Sequence, residues 1–196
     1  MALGTATPPF EPRFDAGRIC LDLLATTHPA ERLDSVEALR AWIVGAGLVP
    51  AGTSLEGVGP SWLPEFRRLR RDLGVSLRPD DTAAPCPRAL ARLNDAARAA
   101  TPAPRAVLRD DGTLVRELAV PVECAGLLAV VARDAVELLT DPVALAAVRV
   151  CEGEDCPLVY LDTSRGRRRR WCSSEVCGNR ERVARHRRRV AAHARG

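Results

Sequence analysis

Four of the seven cysteines in this chain of 196 residues fall within 27 positions, as two pairs of identical spacing: Cys151-x4-Cys156 and Cys172-x4-Cys177. Two such pairs on either side of a fifteen-residue insert are what a tetrahedral sulfur site needs, because each pair bends the chain so that two sulfurs reach one ion at about 2.3 Å. Four thiolates fill the shell and leave no position for water or substrate. One structural Zn2+ is therefore expected, bound by Cys151, Cys156, Cys172 and Cys177, with no Lewis-acid role. In so small a unit the ion supplies part of the folding energy. Gly178, directly after the last of the four, is expected to let the backbone come close to the metal centre. His186 and His193 are surplus to a shell that is already complete.

The second chemical signal is guanidinium. Arg165, Arg167, Arg168, Arg169 and Arg170 lie between the cysteine pairs, and Arg180, Arg182, Arg185, Arg187, Arg188 and Arg189 follow them. On a helix Arg182, Arg185 and Arg189 would share one face. A metal-fixed support of this kind can grip phosphates bidentately, so DNA is the expected partner, held by Arg167, Arg168, Arg169, Arg170, Arg180, Arg182, Arg185 and Arg189. The charge is segregated to match: residues 149–196 carry 13 arginines against 6 acids, residues 1–148 carry 16 against 19. Four thiolates on one Zn2+ add −2 and leave the tail basic. There is no lysine at all, which in a chain so rich in Ala, Gly and Pro reflects a GC-rich coding sequence, so position is informative here and residue type is not. A solvated face, or one that docks on the acidic N-terminal half, is the competing reading. Only Tyr160 and Trp171 are aromatic in this region, so base reading is not legible.

The rest of the composition narrows the class. Hydrophobic residues make up 46% and aromatics only 4%, so the core must be built from Leu, Val and Ala, which favours helices. The opening MALGTATPPFEPRF lacks a signal-peptide pattern, no apolar run reaches membrane-spanning length, and Ala2 stands where myristoylation needs Gly. An odd cysteine count without an export signal points to reduced thiols in the cytoplasm. No Gly-rich phosphate loop, nucleophile elbow or carboxylate pair is visible, so nothing supports an enzyme.

These sites need elements to hold them. Residues 1–13 are Pro-rich and expected to be a flexible arm. A helix is expected from the capping-box-like Asp34-Ser-Val-Glu37, with Leu39 and Ile43 in phase, up to Gly45 and Gly47. Others are expected from Ser61 to about Leu77, through Leu90, Leu93 and Ala97, and from Pro121 through Leu127, Leu128, Val131 and Leu138. Pro79 to Pro87 reads as a connection, Asp110-Asp-Gly112 as the turn of a short hairpin, and Asp141-Pro142 as the start of a last short helix. After it, Pro157 to Leu161 is expected to pair with Arg168 to Trp171. A terminal helix is expected from an Asn179 cap, with Val183, Val190 and Ala194 as a narrow apolar stripe. The fold class is thus a mostly α N-terminal domain over 14–148 with one short β-hairpin, plus a small four-cysteine zinc finger over 149–196 built of a β-hairpin and a helix. With its own apolar core, the first is expected to stay folded without the metal.

Cys151-x4-Cys156-x3-Tyr160-x-Asp162-x-Ser164, then Arg169-Arg-Trp-Cys172 and Cys177-Gly-Asn-Arg180, resembles the CGNR zinc-finger family of bacterial proteins. In that family the finger follows an ABATE domain, described as a stress-induced transcription regulator. Phe14-x2-Gly17-x3-Leu21-Asp22 followed by Thr26 is similar to the opening motif of that domain, and Trp42 and Leu93-Asn94 also fall in place. The chain departs from the pattern at Ala25, usually asparagine, and at Tyr160, commonly phenylalanine. The resemblance implies a DNA-binding regulator whose N-terminal domain senses a small-molecule effector or a partner, with a ligand pocket near Leu21, Asp22 and Thr26. Set against it are a finger used for protein contact, and an enzyme with its site within 14–148.

Overall fold

In a computed structural model, residues 12–77 and 86–193 are described. Most of the arm over 1–13 and of the connection from Pro79 to Pro87 lies outside the described residues, as does Ala194. The element order is α1 (Ile19–Ala25), α2 (Val36–Gly45), α3 (Trp62–Ser76), α4 (Pro87–Ala97), β1 (Pro104–Leu108), β2 (Leu114–Leu118), α5 (Cys124–Thr140), α6 (Pro142–Leu145), β3 (Val148–Val150), β4 (Val159–Leu161) and α7 (Cys177–His193).

Most helix ends follow from local chemistry. Ser35 Oγ accepts the Ala38 amide at 3.1 Å and starts α2, one residue later than the Asp34 signal suggests. Asp141 accepts the amides of Val143 and Ala144 ahead of Pro142, as a capping Asp-Pro should. Helix α5 begins at Cys124, three residues beyond Pro121, with Glu123 as its cap. At the far end of α4, Arg133 of α5 donates to the carbonyls of Ala97 and Ala99, both at 2.9 Å, and satisfies groups the helix leaves open. The hairpin of β1 and β2 pairs Val107 with Val115, and Gly112 takes the left-handed φ of 81° that its turn requires.

Helix α1 has no sequence signal because tertiary contacts make it. Its seven residues have no side-chain cap. Its amino end is instead pinned to α5: the Cys20 amide donates to Asp134 Oδ2 at 3.0 Å, and Arg18 pairs with Asp134 at 2.8 Å and Glu137 at 3.1 Å. Leu21 and Leu23 then drop into a core shared with Leu39, Trp42, Phe66, Leu73, Leu93, Leu127 and Leu138. Trp42 meets Phe66 edge to face at 5.9 Å. That core is not a separate unit. It runs through Val148 and Tyr160 to all four cysteines of the 151–177 segment.

A polar clamp closes the loop after α1. Arg70, almost wholly buried on α3, donates to Glu31 Oε1 at 2.8 Å, Glu31 Oε2 at 2.5 Å and Thr26 Oγ1 at 2.7 Å. The Arg70 guanidinium first, and the Leu33 amide after the opposing effect of burial, draw the Glu31 carboxyl down from 4.5 to about 2. A lowered folded-state pKa adds stability that is full above the unfolded value and fades as pH falls through the folded one. Glu31→Gln should therefore cost about 1–2 kcal/mol at pH 7, discounted for Glu31's partial exposure, and its deficit should shrink between pH 4.5 and about 2. Urea midpoints of both proteins across that range check this; a deficit independent of pH refutes the charge pairing.

In the C-terminal part, β4 pairs with β3, Val150 opposite Val159, and not with Arg168 to Trp171. The cause is the first cysteine pair. Its bend turns the chain back on itself, so the strands flanking it are the ones that meet, and Cys151 extends the ladder by donating to the Leu158 carbonyl at 2.8 Å. The 168–171 segment keeps one backbone tie, from Glu152 N–H to the Arg170 carbonyl at 2.9 Å. Helix α7 starts at Cys177, so Asn179 lies in its first turn and is not its cap.

Candidate metal centre and basic helix

One ligand atom from each of Cys151, Cys156, Cys172 and Cys177 lies within 4.8 Å of every other, and all four residues are buried. Cys156 and Cys172 sulfurs are 3.8 Å apart, Cys172 and Cys177 sulfurs 3.6 Å. A tetrahedron with Zn–S bonds of about 2.3 Å has edges of about 3.8 Å, so these two separations match its edges and the remaining sulfurs lie close enough to share one zinc ion. They are far beyond disulfide distance and free.

The turn of the first pair is fitted to this packing. A Cβ on Gly153 would lie 3.1 Å from Cys177 Cβ, 3.3 Å from its Sγ and 3.4 Å from Cys151 Sγ, while the neighbouring turn residue Asp155 takes a left-handed φ of 57°. Gly178 does not have the expected role: around it are the Ser173 carbonyl and the Trp171 ring, at ordinary contact distance. Burial raises the Cys151 thiol, but amides from Cys172 at 3.2 Å and Gly153 at 3.4 Å outweigh it and leave the thiol lowered. Cys172 is pushed up, by burial and then by the neighbouring thiolates, and Cys177 up to about 11, by burial first. Four sulfurs this close cannot all ionise unless a cation shares their charge, and the donor set fits one structural zinc. Among the described residues no histidine joins the cluster.

Around the centre the insert is riveted internally. Asp162, 2% exposed, accepts the amides of Ser164 at 2.9 Å and Arg169 at 3.0 Å, and its hydrogen bonds from Ser164 hold its carboxyl below the usual range. Buried Tyr160 donates its hydroxyl to the Arg169 carbonyl at 2.5 Å; burial lifts its pKa to about 12. Arg169 itself turns inward. Its guanidinium lies 4.6 Å from the Tyr160 ring centre and donates to the carbonyls of Trp171 at 2.8 Å, Asp15 at 3.1 Å, and Cys172. Arg170 pairs with Glu152 at 2.6 Å and stacks 5.1 Å over Trp171. Arg167 and Arg168 are exposed, Arg167 with a long 3.4 Å bond to the Val143 carbonyl.

Helix α7 carries the remaining arginines. Cys177 and Gly178 are buried, but every residue from 185 to 190 is exposed, so the helix leaves the body of the molecule. Arg180, Arg182, Arg185 and Arg189 all lie on its exposed surface. Val183 and Val190, expected as an apolar stripe, are 42% and 56% exposed.

The N-terminal motif residues meet at the joint between the two parts. Gly17, at φ 84°, makes a turn in which Asp22 accepts the Ala16 amide at 3.0 Å and Ala16 accepts the Leu161 amide of β4 at 2.8 Å. Burial first pushes the Asp22 carboxyl up, to about 6. Asp22 and Thr26 also line a cleft of about 240 Å³, whereas Leu21 is fully inside the core. Cys20 is buried and held protonated by that burial, as is half-buried Cys124, up to about 11; neither is a reactive thiol.

Residues 17–142 match the family profile of ABATE, described as "Putative stress-induced transcription regulator", over more than half of the chain. The chain belongs to the ABATE family. Residues 147–190 of this ABATE protein match the CGNR zinc finger, which covers the four cysteines, the insert and most of α7. None of the curated proteins compared with the chain matches it. Among the described residues no helix is long and apolar enough to cross a membrane.

Proposed function

We propose that the protein is a cytoplasmic transcription regulator that binds DNA through the finger, with the helical N-terminal domain as the sensor of an effector. The observation that carries this reading is the projection of α7. It bears six arginines against the single acid Glu181, and residues 185–190 are exposed on a base fixed by the metal centre. The gripping set is Arg167, Arg168, Arg180, Arg182, Arg185 and Arg189; Arg169 is left out because its guanidinium is held by carbonyls, and Arg170 because it pairs with Glu152 and stacks on Trp171, whereas Arg167 and Arg182 keep only long bonds of 3.4 Å to the carbonyls of Val143 and Ser174. Such contacts bind by charge and counterion release, without base reading.

A protein-contact role has one observation in its favour, the exposed Val183 and Val190 on the same helix. The two readings separate in one experiment. Fluorescence anisotropy with DNA and RNA duplexes of equal length, over a range of salt, should show DNA affinity falling steeply and linearly on logarithmic axes. Binding that is absent, or indifferent to salt, hands α7 to a protein partner.

A further inference from the structure

The hairpin of β1 and β2 stands off the helices: beyond each other, neither strand makes more than slight contact with another helix or strand. Two five-residue strands alone are marginal in water, and a third strand is a usual support. The register shows which edge is open to one. Arg109 N–H donates to the Thr113 carbonyl at one end of the ladder and Ala119 N–H to the Ala103 carbonyl at the other, both at 2.9 Å. Val115 and Glu117 lie between them in the same phase, opposite Val107 and Arg105, so their main-chain groups also turn toward β1. Leu114, Arg116 and Leu118 therefore turn their N–H and C=O groups outward, and among the described residues nothing bonds to them.

This open edge borders a cleft of about 1000 Å³. Every residue from Val115 to Val122 lines it, whereas β1 contributes only Arg105 and Arg109, so the cleft runs along β2. The facing wall is the loop from Pro50 to Val58. It is tied down by Arg40, which donates to the Val58 carbonyl at 2.8 Å, and by the buried Val58 side chain.

We propose that this cleft takes up an extended peptide of another protein, with alternating apolar and acidic residues, which adds to β2 as a third strand. The outward groups of Arg116 and Leu118 supply the main-chain bonds, and the alternation of a strand places the side chains. Leu55, Val115, Val120 and Val122 provide the apolar surface, Val120 being 59% exposed without such a cover. Acidic residues are called for by charge. Arg105 is engaged by Glu117 at 3.1 Å, but Arg109 and Arg116 have no acidic partner among the described residues, and the other acid lining the cleft is Glu56. The loop wall favours a single strand as the occupant, because a second copy approaching by its own β2 would bring a second 50–58 loop into the same cleft. No residue of the finger lines the cleft, so the inference goes beyond DNA binding and does not depend on it.

The test uses the zinc-loaded full chain and three fluorescein-labelled heptapeptides in which Val, Ile or Leu alternates with Glu. One set of controls carries Lys in place of Glu; the other carries N-methyl groups on alternate amides and cannot pair with a strand. Fluorescence anisotropy should give at least one acidic peptide a Kd tighter than about 300 μM, and its controls should bind about tenfold more weakly or not at all. Arg116→Pro deletes the outward N–H and none of the inward ones, and should abolish binding. Should that variant lose the hairpin, the parent decides: hydrogen exchange at the Arg116 and Leu118 amides should slow when the acidic peptide is added. The proposal is overturned if no acidic peptide reaches that affinity, if the controls come within about tenfold of it, if a folded Arg116→Pro binds as the parent does, or if those two amides exchange at an unchanged rate. Protection of the same amides that rises with chain concentration alone would overturn it in favour of a second copy.

Discussion

Chelation of the zinc is expected to unfold the segment from Val148 to Val176 and release α7, while α2 to α5 stay helical and lose stability. The ion's contribution to a finger of this size, on the order of 10 kcal/mol, exceeds what three-residue strands and one buried tyrosine can supply, so the finger has no fold without it. The helical core is different. Leu39, Ile43, Phe66, Leu73, Leu93, Leu127 and Leu138 are fully buried and belong to elements outside the finger. They lose one side of the shared core: the Leu161 bond to Ala16, the Asp162 amide bond to Ala147, the Arg169 bond to Asp15, and the cover of Val148, Tyr160 and the cysteines. About 3 kcal/mol is at stake there, or a Tm drop of about 6–12 °C for a chain of this size. Cys177→Ser should act like the chelator, because it removes a ligand and the anchor of α7 together. Metal analysis should return one zinc per chain for the parent, and circular dichroism should retain most helical signal after its removal. A collapse of the whole spectrum would mean that the helical domain cannot stand without the finger. An unchanged Tm would mean that the joint contributes nothing.

Replacing Arg182, Arg185 and Arg189 together by Gln should lower the slope of log affinity against log salt by about 2.7, at about 0.9 per phosphate contact. At roughly 0.15 M salt that corresponds to an affinity loss on the order of a hundredfold, similar for every DNA sequence. Gln preserves helix propensity and length, so the change reports charge and not folding. Arg169→Gln is the informative partner. Its guanidinium holds the carbonyls of Trp171, Cys172 and Asp15, so the loss should appear as weakened zinc retention and a lower Tm with the salt slope intact. A triple variant that keeps its zinc and binds DNA with the parent slope removes α7 from the DNA surface.

The parts of this molecule that the sequence makes legible are those that local chemistry determines. Zinc dictates ligand spacing over a few residues, so the four cysteines are readable directly. Asp141-Pro142 and Asp110-Asp-Gly112 announce a helix start and a turn for the same reason. What fails is what tertiary partners decide. Helix α1 is held at its amino end by Asp134, more than a hundred residues away, which accepts the Cys20 amide of its first turn. Arg169 looks like its neighbours in the run 167–170 until the fold places three carbonyls around it. Gly178 adjoins a ligand in sequence, yet Gly153 is the glycine against the sulfurs. Trp42 has the periodicity of a core residue and occupies the core; nothing in its spacing tells that its N–H has no hydrogen-bond partner among the described residues.

The bond from Leu161 N–H to the Ala16 carbonyl makes the residues before α1 a lining for the outer side of β4, with Gly17 packed on Leu161. A finger cut free at residue 147 would take its zinc ligands along but leave this lining behind. Its β4 would then present a bare strand edge beside the apolar side chains of Leu158 and Leu161, a template for self-association. Fragments of the finger that include residues 12–22, supplied as a separate peptide or by fusion, should stay monomeric where the bare finger aggregates.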